Sequence, residues 1–194
     1  MSPLQKVLLP ALLIFSEICS AQIQPCIDVI TTKHREGGAG QGVYDFNNKW
    51  TPGTTLTVSF IGGTQWQKDK VKLYAPTWSR YGNIKFQFID IGLGDIRVSF
   101  EKKGSYSYIG LDCKNRLSFQ ETMNLGWIDP TRATEIQIRG TILHEFGHSI
   151  GLLHEHMNPM TNIQWNKPVV YAYYLQYDGW DKEMVDKCHH QPVP

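Results

Sequence analysis

The stretch from His144 to His154, HEFGHSIGLLH, constrains this chain more than any other part of its sequence. His144 and His148 are four residues apart in a segment whose apolar residues recur with helical spacing. Both imidazoles therefore leave the same face of a helix, one turn apart, where they can meet one cation. Glu145 lies beside them, offset so that its carboxylate can reach a metal-bound water without being a ligand.

A third histidine follows a point where this helix must stop. Gly151 accepts the left-handed backbone that turns a chain sharply, and His154 comes three residues later, placed to return toward the same metal. Three neutral imidazoles leave the fourth zinc position open for water, which indicates a catalytic site and not a closed structural one. We therefore predict one Zn²⁺ per chain, bound by His144, His148 and His154.

A simpler interpretation is an amphipathic helix whose histidines are solvated. Its apolar face would consist of Ile142, Leu143, Phe146, Ile150, Leu152 and Leu153. We expect this face to hold the helix against a sheet in either case, but it does not explain the spacing of the histidines.

Periodicity elsewhere predicts an α+β fold. The β-rich run from Thr54 ends in a Gly pair, and Thr64 can cap a helix that stops near Gly82. Residues 84–89 and 96–100 alternate apolar and polar side chains, as half-buried strands do. Short strands at 104–110 and 122–127, a long helix at about 134–151 and a helix at 166–177 complete the prediction. We expect one βαβ crossover in a twisted mixed sheet, with a backing helix and a long active-site helix.

The first 21 residues have the pattern of a secretory signal. Lys6 precedes an apolar run at 7–15, and Cys19, Ser20 and Ala21 form a small-residue cleavage site. We therefore expect a signal peptide at 1–21, an N-terminal arm or short pro-segment at 22–46, and a catalytic domain at 47–194. The expected location is extracellular, and no stretch is long and apolar enough to predict a membrane span.

Charge and cysteines limit the partners and crosslinks. The formal net charge of +1 favours neither nucleic acid nor an anionic membrane as a partner. We expect a monomer that acts on proteins or peptides. After removal of the signal, Cys26, Cys113 and Cys188 remain, so that either one pair forms and one thiol stays free, or one thiol has a specific role. A bond between Cys26 and Cys188 would join the two ends of the domain.

The motif HExxHxxGxxH resembles that of the metzincin zinc endopeptidases, and over residues 50–180 the chain is most similar to the astacin family. Glu155 directly follows the third histidine, and GSYSYIG at 104–110 is similar to the astacin edge strand. The resemblance implies that Glu145 is the general base of peptide hydrolysis. It also implies that an extended substrate lies along Ser107, Tyr108 and Ile109. Pro25 and Cys26 loosely resemble the cysteine switch of matrixins.

The sequence departs from the astacin pattern after the third histidine. It contains no Ser-x-Met-His-Tyr Met-turn, so we expect a catalytic domain that is incomplete at its C-terminal end. The function that we predict is that of a secreted zinc metalloendopeptidase. One alternative is an inactive zinc-binding pseudoprotease that binds peptides or acts as a decoy. The other is a secreted, non-enzymatic binding module.

Overall fold

The computed structural model describes residues 43–44, 46–157 and 163–189, and within them the fold is α+β. The expected signal peptide, Cys26 and most of the expected N-terminal arm lie outside the described residues. The strands are β1 (Thr55–Ile61), β2 (Lys85–Phe88), β3 (Ile96–Ser99), β4 (Ser105–Ser107) and β5 (Met123–Leu125). The helices are α1 (Gln65–Tyr74), α2 (Glu135–Ser149), α3 (Lys167–Asp178) and α4 (Lys182–His189). None of these helices is long and apolar enough to cross a bilayer.

The five strands form one sheet in the order β2-β1-β3-β5-β4. The β1–β2, β1–β3 and β3–β5 pairs are parallel, and α1 makes the crossover between β1 and β2. The β4–β5 pair is antiparallel, which places β4 at the edge of the sheet. The mixed sheet and the α+β fold that the sequence predicts are confirmed.

Two threonines define where α1 and α2 begin. The Thr64 hydroxyl accepts from the Gln67 backbone N–H, and the Gln67 side chain accepts from the Thr64 N–H. Thr134 and Gln137 form the same reciprocal pair at the start of α2. Such a capping box satisfies two of the amides that a helix start leaves without partners.

The buried side chains of α2 fix its position on the sheet. Ile138, Ile142 and Phe146 belong to the main core cluster. Phe146 also meets Phe86 edge-on, with ring centroids 5.2 Å apart. Burying a side chain of this size contributes about 2 kcal/mol through its apolar area. Ile142 and Phe146 of the expected apolar face are thus buried in the main core, whereas Leu153 packs in a separate cluster.

A segment before β1, which we call the N-terminal brace, packs against the chain that follows α2. It consists of Val43, Tyr44 and residues 46–50. Tyr44 forms an antiparallel bridge with Leu152, and the Leu153 N–H donates to the Val43 carbonyl at 2.8 Å. The first part of this segment lies in the region that the sequence predicts to be an N-terminal arm or short pro-segment. In the folded protein, Val43 is buried.

Candidate metal centre

The imidazoles of His144, His148 and His154 converge on one point. Their Nε2 atoms lie 3.0 Å apart for His144 and His154, 3.1 Å for His144 and His148, and 3.2 Å for His148 and His154. Together they form a group that could hold a metal ion. The first two side chains come from consecutive turns of α2, and the third comes from the chain beyond it.

A hydrogen bond to the backbone orients the second histidine. His148 is buried, and its Nδ1 lies 2.8 Å from the carbonyl oxygen of Leu152. Because a carbonyl oxygen can only accept, Nδ1 must carry the proton, and in the neutral imidazole Nε2 then holds a lone pair. Histidine ligands of metals are commonly fixed in this way by the other ring nitrogen. In this tautomer, Nε2 of His148 can bind a metal ion.

The turn that returns His154 to the site depends on Gly151. Its φ is +107°, a backbone conformation that side chains with a Cβ rarely adopt. A Cβ at this position would also lie 3.4 Å from the Cα of Lys49 in the N-terminal brace. The turn therefore favours glycine, while the brace would be in ordinary van der Waals contact with a Cβ placed there.

A small second core supports the chain on either side of His154. Val43, Ile109 and Leu153 are all buried and pack together. The Val43 N–H also donates to Glu155 Oε2 at 3.3 Å. The residues on both sides of His154 are thus attached to the N-terminal brace.

Glu145 lies on α2 between the two helical histidines and is only 1% exposed. Trp78 holds this part of the helix, because its Nε1 donates to the Leu143 carbonyl at 2.8 Å. A Cβ at Gly147 would come within 3.1 Å of the Trp78 ring, so the absence of a side chain there permits the contact. The buried carboxylate of Glu145 therefore lies on a segment of α2 that Trp78 holds in place.

The edge strand presents alternate residues to its open side. The Tyr108 N–H donates to Thr122, and the Gly126 N–H donates to the Gly104 carbonyl. In an antiparallel pair, the residues between such positions direct their N–H and C=O groups to the other side. The main-chain groups of Ser105 and Ser107 therefore face outward, where no described strand pairs with them.

The three residues expected to lie along a substrate thus have different environments. The backbone of Ser107 faces the open edge, although its side chain is fully buried. The Tyr108 N–H is engaged with the neighbouring strand, and the Ile109 carbonyl accepts from the Asp112 N–H at 3.0 Å. The Ile109 side chain belongs to the second core, beneath the chain that carries His154.

Tyr106, two residues before Tyr108 in the edge strand, contacts a charged pair. The Tyr106 hydroxyl donates to Glu121 Oε1 at 2.6 Å, and Lys102 forms an ion pair with the same carboxylate. Burial raises the pKa of Glu121, but the hydrogen bonds from Lys102 and Tyr106 outweigh it, so that the pKa falls to about 2. The charges of Lys102 and Glu121 therefore compensate each other at neutral pH.

Comparison with known proteins identifies relatives among solved structures. No protein-family model matches the chain, and neither does any curated protein. A structure of myroilysin is 43% identical, covers 77% of this chain and 73% of its own, and superposes with a TM-score of 0.72. A crystal structure of myroilysin is 41% identical, with coverages of 84% and 66% and a TM-score of 0.61. The chain belongs to the myroilysin family. Its fold is that of a metalloprotease.

Membership in the myroilysin family supports the metalloprotease class that the histidine spacing predicts. The narrower resemblance to astacins stays a prediction, as does the incomplete C-terminal end. The sequence predicts neither the N-terminal brace nor the role of the Leu152 carbonyl. A single bridge pair has no periodicity, and a main-chain acceptor has no residue signature, so neither leaves a signal in the sequence.

Proposed function

We propose that this protein is a zinc-dependent metalloendopeptidase that hydrolyses peptide bonds within proteins or peptides. The observation that carries the proposal is the convergence of three Nε2 atoms within 3.2 Å of one another, on the helix that bears the buried Glu145. Similarity to myroilysin supports the protease class.

The spacing of the nitrogens fits zinc. Tetrahedral zinc with Zn–N bonds of about 2.0–2.1 Å places two ligand nitrogens about 3.3 Å apart. The three distances of 3.0–3.2 Å are within a few tenths of an ångström of this value. Imidazole nitrogens are also ligands that zinc prefers. His144, His148 and His154 would therefore hold one Zn²⁺ per chain.

Glu145 is the residue that we assign to proton transfer. A zinc ion held by the three histidines would acidify a coordinated water and polarise a peptide carbonyl. Glu145 accepts the proton on its carboxylate and delivers it to the nitrogen of the leaving amine. Because Glu145 is almost fully buried, bulk water does not compete for that carboxylate.

The open edge of β4 is where we place the substrate. An extended peptide can add to such an edge as another strand and gain main-chain hydrogen bonds. The outward groups of Ser105 and Ser107 would form these bonds, with Tyr108 and Ile109 as their neighbours along the same strand. Main-chain pairing does not depend on the substrate side chains, which suits a protease that acts on many sequences.

The test is hydrolysis of a generic unfolded protein by the purified chain, with zinc content measured in the same preparation. We expect about one zinc per chain and cleavage that a chelator abolishes. Glu145→Gln should keep the zinc and lower kcat at least 100-fold, the lower end of what a general base contributes. Zinc binding without cleavage would favour the pseudoprotease. A folded protein without zinc would exclude the proposal and favour the binding module.

We further propose that the protein is secreted and acts outside the cell as a monomer. The pattern at 1–21 supports this proposal, through its basic residue, apolar run and small-residue cleavage site. Expression in a secreting host should release a product whose first residue is Gln22. Retention in the cell with Met1 intact would contradict secretion, and sedimentation analysis tests the monomer.

A further inference from the structure

Arg116 is a cation beside the edge strand. Its guanidinium carbon lies 4.9 Å from the centre of the Tyr108 ring, a cation–π distance. Its Nε is buried without a hydrogen-bond partner, although the side chain as a whole is partly exposed. Within the described residues, Arg116 takes part in no ion pair.

A lysine near the other end of this strand does have a carboxylate partner. Lys102 is paired with Glu121 beside Tyr106. Asp112 is buried and accepts from Asn48 Nδ2 at 3.1 Å. Among the described residues, the Arg116 guanidinium beside Tyr108 thus has no paired carboxylate, whereas the Lys102–Glu121 pair beside Tyr106 is balanced.

The register of β4 defines what an added strand would place next to Tyr108. Because the Tyr108 N–H bonds to Thr122 in β5, its main-chain groups point away from the open edge. An antiparallel strand on that edge would meet Tyr108 in a non-hydrogen-bonded pair, the kind in which side chains approach most closely. Side chains of opposed residues lie on the same face of the sheet. One side chain of the added strand would thus lie beside the Tyr108 ring and the Arg116 guanidinium.

We propose that Arg116, held over Tyr108, forms a specificity subsite for an acidic side chain of the substrate. The guanidinium fork matches the geometry of a carboxylate and can donate two parallel hydrogen bonds to it. Only the substrate residue opposite Tyr108 is selected, because the charges beside Tyr106 already compensate each other. This inference rests on the proposed function, since it requires a peptide on the open edge of β4.

The experiment compares peptide pairs that differ only by Asp in place of Asn at one position, scanned along the peptide. With the full chain, one position should give kcat/KM about 10-fold higher for Asp, as a partly exposed charge-assisted contact provides. Arg116→Gln should remove this preference, and Arg116→Lys should keep part of it. The matched control is Lys103→Gln, which removes an exposed cation on the loop before β4 and should leave the ratio unchanged.

Binding of the same peptides to zinc-loaded Glu145→Gln, followed by fluorescence anisotropy, separates the two proposals. Tighter binding of the Asp peptide that disappears in the double variant with Arg116→Gln supports the subsite even if the chain cleaves nothing. Cleavage without a preference for Asp at any position would overturn the subsite and leave the peptidase proposal intact. A preference that survives Arg116→Gln would also overturn it.

Discussion

The indole nitrogen of Trp50 donates to the carbonyl oxygen of Ser149 at 2.9 Å, although the two residues are 99 positions apart in the chain. Ser149 is the last residue of α2, and the final carbonyls of a helix accept no hydrogen bonds from amides of the same helix. Trp50 therefore supplies the missing donor. The bond ties the N-terminal brace to the helix that carries two of the three histidines.

Replacing Trp50 by Phe should lower the free energy of unfolding by about 1–3 kcal/mol, because a buried carbonyl loses its donor. Chemical denaturation at neutral pH measures the difference. The matched control is Trp127→Phe, a partly exposed tryptophan whose indole makes no hydrogen bond to a described residue. Equal effects of both substitutions would show that the Ser149 bond contributes nothing beyond the lost ring.

Gly151→Ala should weaken zinc binding as well as stability. The φ of +107° opposes a Cβ, so we expect a loss of about 1–3 kcal/mol and a displaced His154. Isothermal titration with zinc measures the affinity. Gly179→Ala serves as the control, since Gly179 also has a positive φ but an added Cβ would meet nothing within 4 Å. That variant should lose stability and keep its zinc affinity.

Zinc should raise the melting temperature of the protein, and a chelator should reverse the increase. A ligand at 100 times its dissociation constant stabilises the folded state by about 2.7 kcal/mol. His154→Asn should abolish the increase because it removes one of the three converging nitrogens. His156→Asn is the control, since its ring lies 5.2 Å from that of His154 and is not part of the converging group. A loss of the increase in both variants would contradict the assignment of ligands.

Glu121 should make the free energy of unfolding depend on pH in the acidic range. Its pKa is about 2 in the folded protein and 4.5 as an ordinary carboxyl, so its contribution is complete above pH 4.5 and lost as the pH falls toward 2. Glu121→Gln should therefore cost about 1 kcal/mol at pH 7, a value reduced by the partial exposure of the pair, and almost nothing at pH 2. Denaturation at the two pH values tests this. A loss of the same size at both pH values would contradict this prediction.

Cys113 should react slowly with thiol reagents while the protein is folded. It is a free, buried cysteine, and burial raises the pKa of its thiol to about 11. At pH 8 only about one molecule in a thousand then carries the reactive thiolate. Labelling with a disulfide reagent should be at least 100-fold faster in denaturant than in buffer, by the thiolate fraction alone. Rapid labelling of the folded Cys113→Ser variant would reveal a second accessible thiol.

Much of the fold could be predicted because its signals are local. The alternation of apolar and polar residues predicts β2 and β3, and the helical spacing of apolar residues predicts α2. The capping role of Thr64 followed from its position before a helical pattern, and the structure confirms it. Asn166 stands at the start of α3 as expected, but its side chain makes no capping hydrogen bond.

The rest depends on contacts between distant parts of the chain. The histidine motif predicts which side chains converge, but it cannot show that Val43 pairs with Leu153 or that Trp50 caps α2. These contacts use main-chain groups, which every residue carries. Similarly, the sequence indicates an edge strand at Ser105–Ser107, yet only the pairing with β5 shows which residues face outward.

An open strand edge can also promote aggregation, because it can pair with a second copy of the same chain. β4 is only three residues long, and the exposed Lys103 lies two positions before it. A short edge beside an exposed cation disfavours the stacking of identical chains, while a single flexible segment of another protein can still be accommodated. A substrate site at this edge would not bind compactly folded proteins, whose backbone N–H and C=O groups are already paired. It would restrict attack to chains that are locally unfolded.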